Sequence, residues 1–249
     1  KGQVRLAADR AIAFGAVLEE VAASMGKVAK NFKMPVTAIR GLADSINYLD
    51  DNAISKGADI IDFLNRTSGV VSTVAMSAQQ AAALGSTLLT LGERTETAST
   101  AANAIVQKFA AATKGTKKFQ SAMRELGLRS EDVQKGMSTD AAGTLFNVIE
   151  AIQKLPKDKR IGVMVELVGM EHSDTLAKLV DKPEELRRQM ELAQGTQAAG
   201  SMAREAQARY ATLSAQWAIA KNRAFNLSAT IGGALAPALI EAMKWAAPM

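Results

Sequence analysis

The sequence predicts an all-α fold: an irregular multi-helix domain, then a long helix with a heptad seam, with little or no β-structure. Three observations predict it. Apolar residues recur at steps of three and four along most of the chain, the spacing of a helix face. Sustained period-two alternation is missing, as are Asn-Gly and Asp-Gly hairpin turns. Gly, Pro and short polar clusters interrupt the helical pattern at close intervals, which marks short connections. Hydrophobic residues make up 48% of 249 residues but aromatics only 4%, so Ala, Leu, Val and Met must fill the core.

The elements follow in order. Residues 4–32 read as one helix, with Val4, Ala8, Ala11, Ile12, Val17, Val21, Met25 and Val28 near one face. Pro35 suits a helix start, and Val36, Ile39, Leu42, Ile46 and Leu49 form the next apolar face. Asn52 is placed to cap a third helix holding Ile54, Ala58, Ile61 and Phe63 or Leu64. Ser77-Ala78-Gln79-Gln80 has the layout of a capping box and opens a helix from Ala81 to Leu91 that stops at Gly92. Thr95–Ala112 is the next helix. Short helices at 117–126 and 130–136 flank a turn at Gly127, and Asp140–Leu155 ends at Pro156. Helices at 157–168, 173–180 and 183–194 follow, the last opened by Pro183. Gly195 and Gly200 bracket the approach to the final helix. The boundaries divide the chain into an N-terminal helix (1–34), a globular helical core (35–196) and a long helix with a Gly/Ala/Pro-containing apolar segment (197–249).

Composition narrows the chemistry. With no cysteine, disulfides and thiolate catalysis are excluded. The single histidine, His172, excludes His-rich metal sites. No phosphate-binding Gly loop or nucleophile elbow is present, and no cofactor or metal is expected. Glu166, Glu171, His172 and Asp174 form the one acid/histidine grouping, in a spacing that matches no known metal or deaminase motif. A polar turn between two helices accounts for it, with Asp174 near a helix start.

The net charge of +5 is mildly basic and selects no single partner. Lys114, Lys117 and Lys118 form one basic cluster; Lys154, Lys157, Lys159 and Arg160 form another. Neither has interleaved aromatics, which argues against single-strand stacking and leaves a solvated face as the simple reading, with DNA contact undecided. Two stretches lack charge: Thr67–Gly92, whose polar residues and capping box suit two packed helices, and Ala224–Ile240, which is short and broken by Gly and Pro. A segment at 224–245 that inserts into a membrane is the rival to a purely structural role.

The C-terminal part holds the clearest interaction signal. Tyr210, Leu213, Trp217, Ala220, Ala224, Leu227 and Ile231 alternate steps of three and four, a heptad seam that pairs helices along their length. No acidic residue lies between Ala206 and Ile240, so Arg209, Lys221 and Arg223 give this helix a basic face. The chain opens at Lys1 without a methionine and reads as an internal piece of a longer assembly protein.

Several local sequences, in this order and spacing, resemble phage tail tape measure proteins. They are Met76–Gly85, Met123-Arg124-Glu125-Leu126-Gly127-Leu128-Arg129-Ser130, Asp140–Ile149 with Ile152–Pro156, and Arg160–Gly169, where Val168 stands in place of the family's Phe. Gly200-Ser201-Met202-Ala203-Arg204-Glu205-Ala206 and the run Ile231-Gly232 through Leu235, Pro237 and Leu239 complete the set. The resemblance covers about residues 35–245. It implies a helical, non-enzymatic protein held in several copies in the lumen of the tail tube; the seam within 203–231 is expected to join the copies as a trimer. Its partners would be the tube protein, the baseplate hub and tail assembly chaperones. Its length would set tail length, and it would leave ahead of the genome, with possible contact at the host inner membrane.

Overall fold

The computed structural model describes residues 18–210, with side-chain surroundings over 23–208. Among these residues there are twelve α-helices and no strand, which bears out the all-α expectation. They are α1 (Leu18–Asn31), α2 (Val36–Asn52), α3 (Gly57–Val71), α4 (Ala78–Thr90), α5 (Thr95–Ala110), α6 (Lys117–Glu125), α7 (Ser130–Thr139), α8 (Ala141–Lys154), α9 (Lys157–Val168), α10 (Met170–Asp181), α11 (Pro183–Gln194) and α12 (Ser201–Tyr210). A 3-10 turn, Ala112–Lys114, follows α5. The chain divides into two units, Lys1–Ala203 and Arg204–Met249; of the second, the described part is the end of α12.

Helices α3, α4 and α5 form the centre of the first unit. α4 packs closely on α11 and α3, and α3 packs on α5 and α1. α2 lies against α4 and α11, while α7 and α10 cover α5, with α6 on α9 and α8 beside α7. One continuous apolar core runs through them, from Met25 and Val28 on α1 to Met190 on α11. Its small residues do what composition suggested. Ala81, Ala82 and Ala83 are fully buried, so α4 can approach its neighbours on all sides. At Gly85 the approach is closest: a Cβ there would stand 2.4 Å from Cδ1 of Phe63, so only glycine admits the ring.

Two buried threonine hydroxyls are satisfied inside their own helices. Thr67 and Thr87 donate to the carbonyls of Phe63 and Ala83 at 2.8 and 2.7 Å. The uncharged run Thr67–Gly92 is the end of α3, a loop and α4, two packed helices as read from the sequence. The capping box is present in full: Ser77 Oγ accepts from the Gln80 amide and Gln80 returns a bond to the Ser77 amide. The loop before it is pinned by backbone bonds, Ala75 N to Met137 O at 2.9 Å and Ala141 N to Ala75 O at 3.0 Å.

Several boundaries differ from the sequence reading. Residues 4–17 of the first predicted helix lie outside the described residues and are not among these differences. Asn52 is the last residue of α2 and no cap: its amide turns back to the Tyr48 carbonyl. The start of α3 is served instead by Asp50, which accepts from the Gly57 amide at 3.1 Å, and Ile54 is left 76% exposed in the turn. α5 stops at Ala110, and α7 runs on to Thr139.

Candidate functional site

Of the proposed self-association seam, only Tyr210 falls within the described helices, at the end of α12; Leu213, Trp217, Ala220, Ala224, Leu227 and Ile231 lie outside the described residues, as do Lys221, Arg223 and the 224–245 segment. The structure does show how the chain is led into that helix. α11 ends at Gln194, and residues 195–200 turn back over α2 before α12 begins. Two glycines make the turn possible. A Cβ at Gly195 would stand 2.9 Å from the Glu191 carbonyl, and Gly200 adopts φ +74°, the left-handed region that favours glycine.

α2 presents a polar face to this turn. Ser45 Oγ donates to the Ala193 carbonyl at 2.6 Å, and the Tyr48 hydroxyl donates to Gln197 Oε1 at 2.7 Å. Asp44 is the centre of the contact. It is only 6% exposed. Its carboxylate accepts from the Gly200 amide at 2.8 Å and the Met202 amide at 3.3 Å, and its carbonyl accepts from Ser201 Oγ at 2.7 Å. The first amides of a helix have no acceptor within the helix, and the dipole there favours negative charge. Asp44 meets both needs from a helix more than 150 residues earlier, while Ala198 and Met202 bury apolar surface beside it. Sequence reading missed this carboxylate. The available signal was the run Leu42–Asn47, all of which is buried, where Asp44, Ser45 and Asn47 stand among apolar neighbours.

The acid/histidine grouping is dispersed. Only Gly169, at φ +93°, separates α9 from α10, so the second helix starts early and the expected polar turn does not exist. Glu166 lies on α9; Glu171, His172 and Asp174 lie in the first turns of α10. His172 Nε2 is 4.0 Å from Glu171 Oε1, at the limit of an ion pair. Among the described residues no group of three or more such side chains could hold a metal. A better-built charged contact is Glu93, whose side chain is 6% exposed and receives Lys178 Nζ at 2.9 Å and Thr175 Oγ1 at 3.0 Å, fixing α10 to the α4–α5 loop.

The basic clusters have mixed employment. Arg160 donates to the carbonyls of Gln153 and Leu155, satisfying the end of α8. Lys159 pairs with Glu125 at 3.5 Å. Lys114, Lys117, Lys118, Lys154 and Lys157 are exposed. No helix among the described residues is long and apolar enough to cross a membrane.

Comparison with known proteins decides the class. The family model for phage-related minor tail protein matches residues 1–169. The chain belongs to this minor tail protein family. Its match ends at Gly169, the break between α9 and α10, and takes in four of the motif segments that carried the resemblance. The chain is also similar to a probable tape measure protein of Halomonas phage phiHAP-1, 26% identical over 234 residues. That alignment covers 94% of this chain but 27% of the relative, so the chain spans about a quarter of the relative's length. No solved structure matches. The resemblance to tail tape measure proteins is borne out, and a structural role in a phage tail, hence a place in the virion, follows for this minor tail protein.

Proposed function

We propose that this minor tail protein chain is a tape measure segment, lying in the lumen of the tail tube, that helps set tail length while tube subunits polymerise and is released when the genome leaves. The observation that carries this reading is the similarity to a probable tape measure protein along 94% of the chain. Physical geometry supports it: an α-helix advances about 1.5 Å per residue, so a helical chain converts residue count into length. The role is structural and needs no catalytic group.

In this reading the chain has three parts: an N-terminal helix (1–34), a globular core (35–196) and an extended helical part (197–249). The extended part self-associates through Tyr210, Leu213, Trp217, Ala220, Ala224, Leu227 and Ile231, as a trimer. The partners are the tube protein and the baseplate hub, with tail assembly chaperones during construction; the host inner membrane is met, if at all, after release.

Two measurements test it. Labelling this chain in intact particles and imaging them places the label on the tube axis; label on the outer surface overturns the reading. Light scattering after size-exclusion chromatography gives a trimer that Leu213→Asp with Trp217→Asp dissociates; a monomer at all concentrations removes the seam.

A further inference from the structure

Residues 114–125 and 154–160 together carry eight Lys/Arg and two Asp/Glu, a net of +6 in a chain whose total is +5. Remote in sequence, they are joined by the fold, because α6 packs along α9. Lys159 meets Glu125 at 3.5 Å, so the start of α9 lies at the end of α6. Glu166 and Leu167, near the end of α9, line one open cavity with Thr116 and Phe119 at the start of α6. The helices are therefore antiparallel, with cations gathered at both ends of the pair. Lys114, Lys117 and Lys118 surround the start of α6. Arg124, Lys154 and Lys157 stand at the other end. All six are exposed, and among the described residues none has a carboxylate within salt-bridge distance. Glu166 is the carboxylate in the cavity beside the first group, and Lys108 in the same cavity offsets it.

The placement of those at the helix starts works against helix stability, while Arg124 and Lys154 lie in the last turns of α6 and α8, where the dipole favours them. Lys117 opens α6 and Lys157 opens α9, at the positive end of each helix dipole. The first turn of α6 holds no acidic residue and that of α9 holds Asp158 alone. Other helices follow the favourable pattern: α7 opens with Glu131 and Asp132, α11 with Glu184 and Glu185. Unpaired cations held against two dipoles create a positive face that a bound anion would relieve.

We propose that the α6/α9 face binds the phosphate backbone of double-stranded nucleic acid without reading sequence. Five of the six free cations are lysines, which act as point charges. Protein interfaces are depleted in lysine and centre on buried aromatic or apolar anchors. Here Ile161, 63% exposed, is the large apolar side chain that α9 shows to solvent, and Phe119 of α6 is buried. Without exposed aromatics the face has nothing on which single-strand bases could stack. The nine residues of α6 separate the two cation groups by about 13 Å. That is close to the ~12 Å width of a DNA major groove, so each group can sit on one of the two flanking strands.

The test is fluorescence anisotropy of the full 249-residue chain with a labelled duplex of about twenty base pairs, titrated between about 50 and 200 mM salt. Six phosphate contacts predict a slope of log K against log salt of about −5. K114E/K117E/K118E should weaken binding about tenfold or more at the lower salt and make the slope shallower by about 3. K154E/K157E, at the other end, should make it shallower by about 2. K27E/K30E/K33E makes the same charge change away from this face and should leave the slope unchanged. Equal loss from that control would show a net-charge effect and overturn the proposal. So would no binding at the lowest salt, or competition by polyglutamate equal to that of duplex, which would reassign the face to an acidic protein.

Discussion

Replacing Asp44 with alanine removes the acceptor that holds the Gly200 and Met202 amides at the start of α12; the Ser201 amide keeps its bond to the Ala198 carbonyl. The Asp44 carboxylate holds the Gly200 amide at 2.8 Å and the Met202 amide at 3.3 Å. Met202 is 3% exposed, so its N–H has no ready access to water. Losing a cap costs about 1 kcal/mol, and each buried amide left unpaired adds about 1–3 kcal/mol. Gly200 is half-buried and regains part of its loss from solvent, which puts the total at about 2–4 kcal/mol. That corresponds to exchange at the Gly200 and Met202 amides faster by about thirty- to a thousand-fold. Asp44→Asn keeps one acceptor oxygen and should fall between wild type and Asp44→Ala. Site-resolved amide hydrogen exchange measures this directly. Equal protection of Gly200 and Met202 in wild type and Asp44→Ala would refute the capping argument.

Other positions give independent checks. Gly85→Ala drives a Cβ to 2.4 Å from Phe63 Cδ1 and should lower stability by about 1–3 kcal/mol, seen as a drop of several degrees in Tm. Gly162→Ala, in the middle of α9 with nothing within 4 Å, should raise it by up to about 1 kcal/mol; a rise for both or a fall for both would contradict the packing described. The Arg188 hydrogen bond holds the Glu185 carboxyl below its ordinary value of 4.5, so this pair stabilises the fold above that range. Its contribution is lost as pH falls through the lowered value. The Tm gap between wild type and Glu185→Gln should therefore shrink as pH is taken from 6 towards 3; a gap that widens on acidification would show the sign to be wrong.

Legibility in the sequence followed the reach of each interaction. The Ser77–Gln80 box finds its partners within three residues and Pro183 acts on the start of its own helix, so a short window reveals both. Thr116 and Asp140 cap α6 and α8 at the same short range, though the sequence reading did not name them as caps. The start of α3 did not yield to the same reasoning. Its amide at Gly57 is bonded by Asp50, seven residues back on the preceding helix, while the better-looking Asn52 serves its own helix. Asp44 is an extreme of the same effect, capping α12 from a separation of 156 residues at Gly200. Both aspartates sit on α2, so one helix orders the starts of two others. The seam from Leu213 to Ile231 is legible as a pattern alone, because a heptad repeat states that a helix pairs without naming the partner.

The central claim is that residue count in the extended helical part is read out as tail length. Inserting four heptads in register after Asn222 adds about 28 residues of helix, or about 42 Å at 1.5 Å per residue. Tail lengths of particles assembled with that chain, measured by electron microscopy, should lengthen by about 42 Å with an unchanged tube diameter. Tails of unaltered length, built with the longer chain incorporated, would contradict the account.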